Sequence, residues 1–294
     1  MTTEVFDQKN VADRETPISI LLGFIKEKPL GASGGLVLIL MILVAILAPL
    51  IAPQDPLGVD LAGRLAAPSL EHLMGTDQIG RDLLSRVIYG ARISMLVGIT
   101  CTLIGSSVGA ILGVISGYIG GWVDMVFQRI MDILLAFPSI ILAMAIIAVL
   151  GNTIPNVILA ITIPLIPRTN RVVRSVALSV KEFQYIEAAK GVGAGEARIM
   201  FRHVLPNCMA SYLIVATAML GGTILVEASL SFLGLGIPPP NPSWGRALSE
   251  AMAAYIRSPW LAIFPGIAIS LTVFGANIFG DALRDVWDPR LKGL

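Results

Sequence analysis

Long runs without a single Asp, Glu, Lys or Arg constrain this chain more than any other feature. Leu30–Ala52, Ile93–Val123, Ile133–Pro167, Val204–Val226 and Trp260–Gly280 are all uncharged. About 20 apolar residues in a helix cross the hydrocarbon core of a bilayer, where the backbone must satisfy its own hydrogen bonds. One helix over Ile133–Pro167 would be about 52 Å long against a core of about 30 Å, so it must break. Gly151-Asn152-Thr153 followed by Pro155-Asn156 supplies the break. The pattern predicts an all-α polytopic membrane protein with six transmembrane helices. Only 14% of residues are charged, against about 25% in soluble domains, which agrees.

The runs divide the chain into a cytoplasmic N-terminal segment 1–29, a first span 30–53, a polar extracytoplasmic segment 54–90, and a five-helix core 91–294. Met1–Lys28 mixes both charge signs and lacks an early apolar core. No cleavable signal peptide is expected there, and the first span should remain as an anchor. A short amphipathic stretch at Ile18–Ile25 is expected near the membrane. In the polar segment, Leu83, Leu84, Val87 and Ile88 fall at helical spacing, predicting an interfacial helix over Asp82–Tyr89 ahead of the second span. Gly105, Gly109 and Gly113 recur every four residues in that span. Small residues at this spacing let helices approach closely in lipid.

Orientation follows from charge. Arg168, Arg171, Arg174, Lys181, Lys190, Arg198 and Arg202 fall between the fourth and fifth spans, which places that interval in the cytoplasm by the positive-inside rule. Counting spans from a cytoplasmic N-terminus gives the same side. It also puts the C-terminal group Asp281, Arg284, Asp285, Asp288, Arg290 and Lys292 at the cytoplasmic face.

A few charges fall near or inside the spans. Arg129 and Asp132 are three apart on one predicted helix face and could pair, or could stand near a translocation path. Glu227 lies near the far end of the fifth span, as a pathway residue or a hydrogen-bonded structural carboxylate. Cys101 and Cys208 are distant from each other and from histidines, so packing roles are expected and no metal site. No Walker A string occurs, and Gly191–Gly195 lacks the lysine a phosphate loop needs. The net charge of +1 gives no electrostatic case for nucleic acid. No catalytic residue and no nucleophile elbow is expected, and any energy source must be another chain.

The interval 177–206 carries the most specific signal, in Glu187–Pro206, EAAKGVGAGEARIMFRHVLP. Ala, Glu and Lys favour a short helix, the glycines at 191, 193 and 195 permit a sharp turn, and a second helical turn over Ala197–Arg202 is expected to end before Pro206. The stretch resembles the EAA loop in the membrane subunits of bacterial ABC importers. Glu187, Ala188, Ala189, Gly193, Leu205 and Pro206 fall in register with that family's pattern, and His203 occupies its isoleucine position. The segments His72–Arg92, Glu227–Gly245 and Asp281–Arg290 resemble the dipeptide/oligopeptide permease branch, specifically its C-type subunit.

The resemblance implies a type I importer permease fold in a bacterial inner membrane, with a peptide substrate. It implies a second permease subunit, two ATPase subunits that carry ATP and magnesium, and an extracytoplasmic substrate-binding protein. No cofactor would be bound by this chain. The six matched residues would form the ATPase-coupling loop. Close relatives in the branch resemble nickel and glutathione transporters. A stand-alone channel or secondary transporter, or a membrane scaffold, are the readings from other classes.

Overall fold

The computed structural model describes residues 23–287. The expected amphipathic stretch Ile18–Ile25 lies mostly outside them, as do Asp288, Arg290 and Lys292. Among the described residues the chain is helical apart from loops and one isolated bridge, Thr76 with Asp82.

The helices are α1 Pro29–Ile51, α2 Leu83–Ile119, α3 Gly121–Ala136, α4 Ser139–Leu150, α5 Ile154–Thr162, α6 Ile166–Val180, α7 Gln184–Gly191, α8 Glu196–Ile199, α9 Leu205–Phe232, α10 Trp244–Ala251 and α11 Trp260–Trp287. Four stretches are long and apolar enough to cross a membrane: Pro29–Ile51, Leu83–Ile119, Glu196–Phe232 and Trp260–Trp287. The pair α3 and α4 would make a fifth crossing, bent by 92°. The run from Ile154 to Val180 is divided by a 3-10 turn over Ile163–Leu165. Helix α4 ends at Leu150 and α5 starts at Ile154, as the Gly151-Asn152-Thr153 break requires.

Three boundaries differ from the sequence expectation. The interfacial helix and the second span are one continuous helix, α2. Asp82 caps it by accepting from the Ser85 backbone N–H at 2.8 Å, and nothing between Tyr89 and Ile93 interrupts the hydrogen-bond ladder. The apolar run is also broken at Phe137-Pro138, where the sequence offers Pro138 as a kink and the structure makes a full break. Proline lacks an N–H and its ring clashes with the preceding turn, which ends α3 one residue earlier than Phe137.

The third difference is at Pro206, which does not stop a helix. Helix α8 continues through a π-turn over Met200–Val204 directly into α9, with Pro206 in the first turn of α9. The wider turn lies where the proline ring would meet the carbonyl of residue 202. Asn207 Nδ2 donates to the His203 carbonyl at 2.6 Å, partnering an oxygen of that turn.

Glycines set the central helix contact. A Cβ at Gly105, Gly109, Gly113 or Gly117 would approach atoms of the 162–177 stretch to 2.6–3.0 Å. From Gly109 to Gly117 the stripe therefore lies directly against α6, while Gly105 faces Leu165 of the 3-10 turn and the Thr162 carbonyl. Helices α1 and α11 cross in the same manner, with Gly34 against the Gly275 carbonyl. At the end opposite the 181–204 loop, α10 is fixed to the start of α2. Trp244 Nε1 donates to the Val87 carbonyl at 2.9 Å, and Arg86 Nη2 donates to Glu250 Oε2 at 2.7 Å.

Candidate coupling site

The site is the polar connection between α6 and α9. Helix α7 has Glu187 in its first turn and Lys190 in its last, an arrangement that complements the helix dipole. Its end has the bond pattern of a Schellman motif. The Ala194 N–H reaches back to the Ala189 carbonyl at 3.0 Å, and the Gly193 N–H to the Lys190 carbonyl at 2.9 Å. Gly193 takes φ +80, a left-handed conformation that glycine adopts without penalty. The motif also calls for an apolar contact between the residues at its two ends. Ala189 and Ala194 hold those places and both pack against one apolar cluster. The four-residue interval from Ala189 to Gly193 is thus the interval this cap requires.

The inner face of the loop is fixed to the bundle. Ile186, Ile199 and Val204 are fully buried with Val114 of α2, Val173 and Ala177 of α6, and Cys208 of α9. Leu205 packs on the same cluster. Lys190 Nζ lies 5.3 Å from the centroid of the Tyr118 ring, a cation–π contact with the end of α2. The outer face carries Glu187 and Ala188, both exposed, together with Pro206. Glu187 is in no ion pair among the described residues.

Sequence reasoning missed the apolar part of this outer face. Val192 is 86% exposed, and Phe183, Tyr185 and Phe201 are each about half exposed. These side chains stand beside a charged helix, a mixture expected of a protein docking surface. The signal was present as isolated aromatic residues in a polar stretch. His203, at the isoleucine position, is half-buried, with its ring 6.4 Å from that of Tyr185. The Tyr185 ring, tilted by 51° to the imidazole, lies beside the substituted position.

The other candidate residues are not part of the loop. Arg129 and Asp132 do not pair with each other. Asp132 accepts from Arg171 Nη2 at 2.7 Å, and Asp124 from Arg174 Nε at 2.6 Å. Helix α3 runs alongside α6, so partners across the helix pair outcompete the neighbour one turn away. Arg129 is exposed and outside every ion pair among the described residues. Glu227 is fully buried. Its Oε1 accepts from Ser231 Oγ at 2.7 Å, and Oε2 has no hydrogen-bond partner.

Two Gly-x-Ser-x-Gly strings do occur, Gly31–Gly35 and Gly105–Gly109, counter to the expectation that no such string would be found. Both lie within helices α1 and α2. A nucleophile elbow needs a strand-to-helix turn, and Ser33 and Ser107 instead bond the Leu30 carbonyl and Tyr212 Oη.

Residues 109–293 match the family described as binding-protein-dependent transport system inner membrane component, and residues 25–68 match the N-terminal transmembrane domain of oligopeptide transport permease C. The chain belongs to this family of transport permeases. A peptide transport system permease protein of Brucella suis is 45% identical over 259 residues, 88% of this chain and 87% of the relative. The glutathione transport system permease protein GsiD of Escherichia coli O6:K15:H31 is also 45% identical, over 269 residues, 91% of this chain and 89% of the relative. The permease is therefore a transport subunit of an inner-membrane system and not an enzyme.

Proposed function

We propose that the permease is one of two membrane subunits of an ATP-driven importer for peptides, and that Glu187–Pro206 couples it to an ATPase subunit. The proposed topology has six spans of the type I importer kind. They are the four long helices, the bent α3–α4 pair, and the run Ile154–Val180. Both termini lie on the cytoplasmic side with the loop, because the loop carries the concentrated positive charge. ATP and magnesium would be held by the partner ATPases, and a binding protein would deliver peptide from the opposite side.

The observation that carries this reading is the construction of the loop. Its outer face is exposed, charged and apolar, while its inner face is buried on the ends of α2, α6 and α9. A partner that pulled on α7 would move three helices as one body, a rigid-body route to alternating access. The ATPase shifts that equilibrium only if it binds the loop with different free energy in the two states.

Purification of the tagged chain from its native membrane in mild detergent tests the proposal. ATPase subunits and a second permease should co-purify, and Glu187→Lys should release the ATPases while the permease pair survives. An intact, stable chain recovered alone would overturn the reading in favour of a stand-alone channel or secondary transporter. Glutathione, itself a tripeptide, is the second substrate reading, since the Escherichia coli relative is as similar as the Brucella one.

A further inference from the structure

Arg168, Arg171 and Arg174 recur every three residues along α6 and face α3. Two of the three are matched. Arg174 is held by Asp124 and Arg171 by Asp132. The end of α3 and the bend after it, Leu134-Leu135-Ala136-Phe137, offer no acid. Arg168 accordingly has no carboxylate partner among the described residues.

Arg168 instead lines a cavity of about 360 Å³, within the roughly 300–1,000 Å³ typical of small-molecule sites. The cavity is enclosed by the bend at Phe137, the 3-10 turn at Pro164 and Leu165, and the middle of α9 around Gly222 and Thr223. A Cβ at Gly222 would meet nothing within 4 Å, so α9 leaves space there. Arg168 is exposed and shares the cavity with Ser139 and Thr223 among mostly apolar side chains; an arginine so placed, with no acid beside it, is arranged to receive an anion. The guanidinium fork matches a carboxylate with two parallel hydrogen bonds.

We propose that this cavity is a substrate subsite in which Arg168 binds the carboxylate of a transported peptide. The proposal rests on the peptide-importer reading above. Apolar side chains of the peptide would lie along the apolar walls, its amide groups would face Ser139 and Thr223, and its carboxylate would be held by Arg168 near the bend between α3 and α4.

The test uses the complete importer in proteoliposomes with its binding protein at saturation. The probes are alanyl-phenylalanine and its C-terminal amide. The quantity read is the uptake ratio of acid to amide, compared between wild type and variants. Because the binding protein is unchanged, any change in ratio belongs to the permease. Arg168→Gln should lower the ratio by roughly tenfold, the loss expected for one charge-assisted pair, while Arg168→Lys should retain most of it. Arg171→Gln should leave the ratio unaltered. Gly222→Leu should reduce uptake of both probes alike, since it removes space and not charge.

An unchanged ratio in Arg168→Gln would overturn the subsite and leave Arg168 as a cation of the membrane face, with the importer reading intact. Transport of neither probe by a wild-type complex that still hydrolyses ATP would instead overturn the peptide reading, and the subsite with it.

Discussion

Gly113 and Asn170 hold α2 and α6 together by the absence of a side chain. A Cβ on Gly113 would stand 2.8 Å from the Asn170 carbonyl oxygen and 3.0 Å from the Arg174 nitrogen. Both are backbone atoms, so neither can swing aside. Gly113→Val should therefore force the helices apart, at about 1–3 kcal/mol or more. Thermal unfolding in detergent would read this as a clear drop in midpoint. Gly266→Ala in α11, where a Cβ meets nothing within 4 Å, should leave the midpoint unchanged or slightly raised.

The two ion pairs between α3 and α6 should differ in worth. Asp124 and Arg174 are largely shielded, with side chains 16% and 29% exposed, whereas Asp132 and Arg171 are 48% and 54% exposed. Hydrogen bonds to charged groups contribute about 1.5–3 kcal/mol when sheltered, and exposed pairs about 0–1 kcal/mol. Double-mutant cycles with Asp124→Asn and Arg174→Gln should give a coupling well above that of Asp132→Asn and Arg171→Gln. Equal couplings would mean that water screens both pairs alike.

These pairs show where sequence reading ran out. Periodicity reports neighbours on one helix, so it paired Arg129 with Asp132. It cannot report that α3 folds back along α6 and brings Arg171 to Asp132. The glycine stripe was legible because four-residue spacing has one physical use in a lipid-facing helix. The continuous α2 was not, because a polar helix end and an apolar span read as two segments when only hydropathy is followed. Pro206 misled for a related reason. The rule that proline ends helices is local, and the π-turn at Met200–Val204 is a solution available only once the buried Ile199 and Val204 hold both sides in place. The spacing of Ala189 and Gly193 was visible as a family pattern, but its reason needed the cap geometry.

Glu227 is expected to act structurally. Its carboxyl is fully buried and takes one hydrogen bond, from Ser231 Oγ. Glu227→Gln keeps an acceptor for that hydroxyl and removes an ionisable group from the interior. It should match wild type in thermal midpoint and in uptake. Glu227→Ala leaves a void and an orphaned hydroxyl, at a cost of about 2 kcal/mol or more. Loss of uptake in Glu227→Gln at unchanged midpoint would instead make the carboxyl a working group of the transport path.

The cap at Gly193 gives the sharpest test of coupling. Left-handed backbone costs a β-branched residue about 1–2 kcal/mol, and Gly193 sits at φ +80 in open space, where an added Cβ would meet nothing within 4 Å. Gly193→Val therefore strains the loop without a clash. The strain falls on the bond from the Ala194 N–H to the Ala189 carbonyl, which fixes the direction of α7 relative to the bundle. The cluster beneath the loop is untouched, so global unfolding should shift by little. Coupling should suffer far more, because a coupling helix transmits motion only if its angle to α2, α6 and α9 is fixed. In reconstituted importer, Gly193→Val should lower uptake per ATP hydrolysed several-fold while ATPase subunits still co-purify. Glu187→Lys should act differently, weakening ATPase retention itself, since Glu187 lies on the exposed face and in no ion pair among the described residues. If both variants import at the wild-type rate with the wild-type ATP ratio, force does not pass through this loop.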